Sequence, residues 1–412
     1  MDVMHPRVAG IDVHEAFVMV CCRIVRPDGQ VDKITQRFST MTRDLLALGD
    51  WLSDDRVTHL AMESTSVYWK PIWNLLEDRF TILLVNARHV KQLPGRKRDV
   101  SDAEWLAQLL QHGLLKASFI PPQPIRELRD LTRHRTTLQE ERTRVVNRIH
   151  KVLEDANVKL SAVVSDIMGV SGRAMLRAIV AGETDPRRLA DLAQRRMRAK
   201  LPALEAALTG RVRAHHRLLL TTLLDQVTFL EQQIADYDRH IAQAAAPFAL
   251  ALTQLRTIPG VQGRTAENLL AEIGADMRAF PSERHLASWA ALCPGHHETG
   301  GKQKSGRTRK GNRWLRAVLT QAAWAAARTK GSYPAGQFRR LAARRGKTRA
   351  LIAVAHSMLI AVYHMLRHNV PYTDLGAAHF DRLAPQALTR SLVQRLERLG
   401  YDVTLQPTNT AA

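Results

Sequence analysis

Leu220, Leu223, Val227, Leu230, Ile234, Tyr237 and Ile241 step three, four, three, four, three and four residues apart. That spacing lays the apolar side chains along one stripe of an α-helix, and a stripe so narrow has to be covered by another helix. A partner stands upstream, where Leu128, Leu131, Leu138, Val145, Ile149 and Val152 recur at intervals of three, four or seven, with charges on the outer face as in LQEERTRVVNRIHK. The pattern predicts two long helices separated by a basic, less regular insert over about 160–215. It fits a hairpin closed within one chain and a coiled-coil arm joining two chains equally well.

Before the proline break IPPQP at 120–124 the periodicity is different. VAGIDVHEAFVMVCCRIV is apolar and β-branched enough for two neighbouring strands, PDGQ marks a turn, and VDKITQRFS alternates as a third strand does. TRDLLALGDWL, VYWKPIWNLLED and SDAEWLAQLLQHGLL read as helices, with VTHLAME and FTILLVN as strands between them. Three strands, a helix and then alternating strands and helices predict a ribonuclease-H-like layered sheet. The fold class expected is therefore α/β followed by all-α. Its parts are residues 1–120, a helical coiled-coil region 121–248, a mainly helical domain 249–372 and a polar tail 373–412. LRTIPGVQGRTAENLLAEIG, near the start of the third part, has the look of a helix-hairpin-helix, whose turn amides can hold a phosphate.

Sixty Lys and Arg against thirty-nine Asp and Glu leave a net charge of +21. A field of that sign attracts polyanions, nucleic acid first and an acidic membrane surface second. No apolar run reaches the ~18–20 residues that span a bilayer, and the N-terminus lacks the pattern of a secretory signal, so a cytoplasmic protein is expected. Cys21, Cys22 and Cys293 form no C-x-x-C pair and no metal-ligand spacing, and read as reduced, mostly buried thiols.

Four acids in the first part call for explanation. Asp12 sits mid-apolar in GIDVH, Glu63 follows the apolar HLAM, and Asp99 and Asp102 lie three apart in KRDVSDAEWL. A carboxylate beside a buried strand is costly unless something compensates its charge, and a divalent cation does so economically. In a ribonuclease-H-like sheet the first and fourth strands are neighbours, which brings Asp12 and Glu63 together. Asp99 and Asp102 share a helix face directed at the same edge. Four hard oxygen donors suit Mg²⁺ or Mn²⁺ rather than zinc. The plain alternatives are a turn cap or rim salt bridge for Asp12 and Glu63, and a helix N-cap for Asp99 or Asp102. Glu15 and Glu104 read as surface acids.

The stretch HHETGGKQKSGRTRKGNRWLR, residues 296–316, holds seven Lys or Arg, one acid and two hydroxyls beside glycines, Thr299 and Ser305. Lys302, Lys304, Arg307, Arg309 and Lys310 are placed to attract backbone phosphates. Arg313 and Arg316, with the later Arg339, Arg340, Arg344 and Arg345, read as sequence-independent phosphate contacts. An alcohol near such a phosphate becomes a nucleophile only if a base or a metal activates it.

The motifs GIDVH, MESTSVYW and NARHVKQLPGRKRDVSDAEWLAQLL, followed by IPGV, AEIG, LASWAALCPG, TGGK and SGRTRKGN, resemble the DEDD insertion-sequence transposases, relatives of the Piv DNA invertase. The resemblance runs over about residues 8–370. It implies a RuvC-like fold whose four acids, at Asp12, Glu63, Asp99 and Asp102 here, bind Mg²⁺. It also implies a C-terminal serine nucleophile that joins the protein to DNA and an element-encoded guide RNA that bridges donor and target DNA. The composite site further implies a homo-oligomer, dimer or tetramer. The chain departs from the family where the serine is expected: alignment points to Thr299 and chemistry to Ser305, and a chain in which neither attacks is the defective alternative. Two competing readings remain, a hydrolytic RuvC-like junction nuclease and a non-catalytic nucleic-acid-binding protein.

Overall fold

The structure, a computed structural model, describes residues 2–87, 90, 101–293, 297–300, 302–305, 308, 311–383 and 385–406, with backbone alone for 297–299, 302–305 and 387. The chain divides into two compact units, Met1–Ile120 and Pro121–Ala412.

The first unit is a five-stranded mixed sheet with helices on both faces. Strands β1 (Arg7–Val13), β2 (Phe17–Val25) and β3 (Val31–Ser39) form an antiparallel meander. Helix α1 (Thr42–Asp54) leads to β4 (His59–Glu63), and α2 (Trp69–Leu76) leads to β5 (Thr81–Val85). Helix α3 (Asp102–Gln111) completes the unit. The strand order is β3-β2-β1-β4-β5, with β1, β4 and β5 parallel. The mixed α/β expectation holds here. Near-continuous apolar runs in β1 and β4 follow from cover on both faces. Ile11, Val20 and Met62 pack with Leu45, Leu48 and Ile72 on one side. Val8, Ala61 and Val85 pack with Trp105, Leu106 and Leu110 of α3 on the other.

The second unit is mostly helical. Two long helices, α4 (Gln123–Asp155) and α5 (Ala214–Ala245), flank an insert of short helices at Leu160–Val163, Val170–Val180, Pro186–Asp191 and Leu201–Leu208. The pair is antiparallel, as contacts Arg135–Asp238, Arg142–Glu231 and Asp155–His216 establish. Leu220, Val227, Leu230, Ile234 and Ile241 are buried along the α5 stripe. The facing stripe of α4 is not wholly apolar. Thr132 and Arg135 are buried in it, and the Arg135 guanidinium donates to Asp238 (2.9 Å), Glu267 (2.6 Å) and Asn268 (2.8 Å). Such a charge persists indoors only because carboxylates and hydrogen bonds surround it.

Beyond these lie α6 (Gly263–Ile273), α7 (Glu283–Trp289), the hairpin strands β6 (His297–Thr299) and β7 (Lys302–Ser305), and α8 (Arg313–Arg328). Helices α9 (Tyr333–Arg345), α10 (Lys347–His368) and α11 (Pro385–Glu397) follow. The expectation that no apolar segment is long enough for a bilayer is corrected by α10, a 22-residue helix that meets that requirement by length and composition. Its residues Leu351, Val354, Ala355, Met358, Leu359 and Val362 are buried at helical spacing, as in a core helix. Gly260, in the expected helix-hairpin-helix turn, has φ +84°. A β-carbon there would lie 2.5 Å from both the Ala322 carbonyl oxygen and the Ala326 nitrogen of α8. Helix packing accounts for that glycine without a phosphate.

Candidate active site

The parallel register pairs Ile11 of β1 with Met62 of β4. The next step along both strands sets Asp12 beside Glu63, and Glu63 in turn pairs with Val85 of β5. Ile11 and Met62 belong to the α1–α2 core, so strand alternation turns Asp12 and Glu63 to the face that carries α3. Both acids are half-buried.

Gly10 explains why α3 reaches this face. A β-carbon on residue 10 would lie 2.1 Å from the Ala103 carbonyl oxygen and 2.5 Å from the Ala107 nitrogen. Helix and strand therefore approach backbone to backbone. The helix runs antiparallel to β1, since the Gln111 carbonyl accepts from the Met4 amide (2.9 Å) at the far end. Its first residue, Asp102, thus lies toward the Asp12 end of the strand. The N-cap role falls to Ser101, whose hydroxyl accepts from the Glu104 amide (3.2 Å). Asp102 follows as an exposed first-turn acid, where a negative charge favours the helix dipole. Glu104, read as a surface acid, instead pairs with Lys33 and with Arg23 (3.7 Å), tying α3 to β3 and β2. Asp99 lies outside the described residues.

Sequence reasoning passed over His14. Its Nε2 stands 3.2 Å from Asp12 Oδ2, its ring stacks on Phe17 (centroids 4.5 Å apart), and the Arg37 guanidinium lies 3.9 Å above Phe17. The signal was the i, i+2 spacing in GIDVH, which puts both side chains on one side of the strand direction. Past Glu63 the chain turns sharply, and Ser66 adopts a left-handed φ of +47°. Tyr68, at the start of α2, has its phenol pushed up by the charge and hydrogen bond of Glu15.

The hydroxyl-bearing stretch forms a β-hairpin. Thr299 pairs with Lys302 across Gly300-Gly301, while Ser305 pairs with His297 beyond a bulge. Gly300 has φ +58°, as tight two-residue turns require, and Gly-Gly between strand-like flanks was the overlooked signal. The two alcohols thus stand at opposite ends of the hairpin, one beside its turn and one at its open end. Lys302 and Lys304 belong to β7. Arg307, Arg309 and Lys310 lie outside the described residues.

The hairpin leaves and rejoins the helices at one point. A β-carbon on Gly311 would lie 2.5 Å from that of Ala291, so the two stems are in contact. Asn312 caps α8, its carbonyl accepting from the amides of Trp314 (3.0 Å) and Leu315 (3.2 Å), while its amide donates to Glu272. Glu272 is buried and accepts a two-pronged bond from Arg133 of α4 (2.7 and 2.8 Å). This anchor joins residues 139 and 40 positions apart, so no local spacing could have revealed it. Arg313 is exposed, with its guanidinium 4.7 Å above the Trp314 ring, and Arg316 is half-buried.

Among the described residues, the three His, Cys, Asp or Glu side chains whose ligand atoms all lie within 4.8 Å of one another are Asp155, His215 and His216, not the acids of the sheet. His216 is already engaged on both ring nitrogens. Nδ1 accepts from the Arg213 amide (3.1 Å) and Nε2 lies 2.8 Å from Asp155, so its role in this structure is to cap α5 and tie it to α4.

Comparison with known proteins follows the same two blocks. Residues 9–158 match a family described as Transposase, and residues 252–338 match Transposase IS116/IS110/IS902 family. The Pilin gene-inverting proteins of Moraxella bovis and Moraxella lacunata are each 37% identical over 123 residues, 29% of this chain and 37% of theirs. An Insertion element IS110 uncharacterized 43.6 kDa protein of Streptomyces coelicolor is 31% identical over 154 residues, 37% of this chain and 36% of that protein. The chain therefore spans little more than a third of the length of these relatives. With both family blocks present in order and covering more than half of its length, the chain belongs to the IS110 family of transposases.

Proposed function

We propose that this protein is a DNA transposase, cutting and rejoining DNA strands by metal-assisted phosphoryl transfer to a protein hydroxyl. The observation that carries the reading is the parallel Ile11–Met62 register, whose next step sets Asp12 beside Glu63 on the sheet face where Gly10 admits α3 and Asp102. The Moraxella relatives, named for inverting a pilin gene, support DNA rearrangement as the outcome. The strand order β3-β2-β1-β4-β5 with parallel β1 and β4 supports a RuvC-like description of the first unit.

Asp12, Glu63 and Asp102, with Asp99, form an all-oxygen donor set that suits Mg²⁺ or Mn²⁺. Partial exposure of Asp12 and Glu63 leaves that edge of the sheet open to solvent and to a phosphate. A bound divalent cation would polarise the phosphate and lower the cost of forming an alkoxide. The residues do the rest. The basic stretch 302–316 draws the DNA backbone in and holds it. The hydroxyl of Thr299 or Ser305 gives up its proton to a base and forms a new P–O bond. The P–O bond to the departing sugar oxygen breaks, and that oxygen takes up a proton. Bond energy is conserved in the protein–DNA phosphodiester, and reversal on a second DNA end releases the protein.

Sequence choice in this reading is delegated to base pairing with an element-encoded RNA, for which the charge of +21 provides attraction. The antiparallel α4–α5 pair serves as an arm between protomers, two or four of which assemble one composite site from acids and hairpin. The test is a covalent trap. The protein is expressed with its native flanking DNA, given labelled target and Mg²⁺, and denatured. Mass spectrometry should find DNA attached at Thr299 or Ser305; cut DNA with free ends and no adduct would replace this reading with hydrolysis.

A further inference from the structure

Between α4, α6 and α8 lies a cavity of about 260 Å³. Trp314 and Val318 supply an apolar surface in it, and Thr136, Gln139, Asn268 and Gln321 ring it with hydroxyl and amide groups. The indole is flanked by two guanidiniums, Arg313 at 4.7 Å and Arg133 at 5.7 Å from the ring. Arg133 is held in place by its two-pronged bond to buried Glu272, so one side of the cavity is a fixed planar cation beside a planar aromatic. Asn268 is likewise fixed, its carbonyl accepting from Arg135 (2.8 Å).

We infer that this cavity receives one unpaired nucleobase from single-stranded nucleic acid, stacked on Trp314 and hydrogen-bonded at its edge by side-chain amides. Indole and guanidinium planes are the surfaces on which bases stack, and amides offer both donor and acceptor to a base edge. The cavity is smaller than the roughly 300–1,000 Å³ of sites for larger organic ligands, which fits a single planar ring system. Glu272, which Arg133 shares with Arg129 (3.7 Å), and Glu140 both line the cavity and offset the Arg133 charge, which makes the interior suited to a neutral base, while exposed Arg313 serves the phosphate outside. Trp314 stands two residues after Asn312, the anchor of the hydroxyl-bearing hairpin, so a captured base would fix the strand in register with that hairpin. The assignment rests on the nucleic-acid reading above.

The test uses full-length protein and single-stranded oligonucleotides carrying 2-aminopurine at successive positions, in a DNA set and an RNA set. Binding is followed by anisotropy of an end label and base capture by 2-aminopurine quenching. One position is expected to be quenched saturably, in DNA or in RNA, which identifies the source. Trp314→Ala should abolish that quenching and weaken binding roughly 5- to 150-fold, the loss typical of a stacking aromatic; Trp314→Phe should keep most of both. Ala317→Phe, which fills the cavity from an exposed position while leaving Trp314 intact, should also abolish quenching. Circular dichroism controls for folding. Quenching and affinity unchanged in Trp314→Ala and Ala317→Phe would overturn the assignment alone, whereas no binding of either oligonucleotide by wild-type protein would overturn it together with the nucleic-acid reading.

Discussion

Gly10 and Ala103 meet backbone to backbone, with a β-carbon on residue 10 falling 2.1 Å from the Ala103 carbonyl oxygen. This one contact sets how close the first turn of α3, and with it Asp102, comes to the strand that carries Asp12. Gly10→Ala should therefore push α3 away. Overpacking of this kind costs about 1–3 kcal/mol, measurable by urea denaturation. Because the clash is with backbone, strand cleavage should fall more than stability does; cleavage at the wild-type rate in folded protein would argue against the helix's role.

Asp12→Asn keeps shape and removes the charge that the proposed cation site requires. Strand cleavage should drop at least roughly 100-fold, on the scale of losing one well-placed electrostatic group, while gel-shift affinity for DNA stays within about threefold of wild type. Persistent cleavage would remove Asp12 from the metal-binding set.

Arg135 is 1% exposed and compensates Asp238 and Glu267. Arg135→Ala leaves Glu267 facing a cavity, while the more exposed Asp238 keeps Arg264. Breaking a fully buried pair costs about 3–5 kcal/mol, and this partly exposed one should cost the lower end of that. A large fall in the denaturation midpoint is expected. Arg135→Lys should recover only part of it, since an ammonium lacks the fork that serves Asp238, Glu267 and Asn268 together.

Burial raises Glu231, but the hydrogen bonds and charges of Arg173 and Arg142 outweigh it and hold the carboxyl below the usual carboxylate range. A depressed folded-state value contributes stability that is complete above the unfolded-state value of about 4.3 and is lost as pH falls through the folded-state value. Acid titration of stability should therefore show a component below about pH 4.3 that Glu231→Gln removes. Identical acid limbs in the two proteins would contradict the pairing.

Burial pushes the Cys22 thiol up to about 12 and raises Cys21 as well. Only a thiolate attacks a disulfide reagent, so neither should react in native protein at pH 8 within the time that Cys293, which is partly exposed, takes to react. All three should react at once in denaturant. Rapid labelling of Cys21 or Cys22 in the native state would mean that β2 opens.

The heptad stripe of α5 and the apolar runs of β1, β2 and β4 were legible in the sequence, because strand and helix periods are local and both express which side faces a core. GIDVH and HLAME showed acids at the ends of apolar strands for the same reason. Tertiary structure alone decided what those segments touch. The buried Arg135 looks like one more charge on a solvated helix until Asp238 and Glu267 arrive from 103 and 132 residues away. Glu272 reads as a helix-surface acid until Arg133 and Asn312 close on it. Helix α10 escaped notice because basic residues precede it and histidines punctuate it, yet its apolar face is continuous once wound. Local spacing fixes which face of an element must be covered; partners far away in the chain determine what covers it, and with which charges.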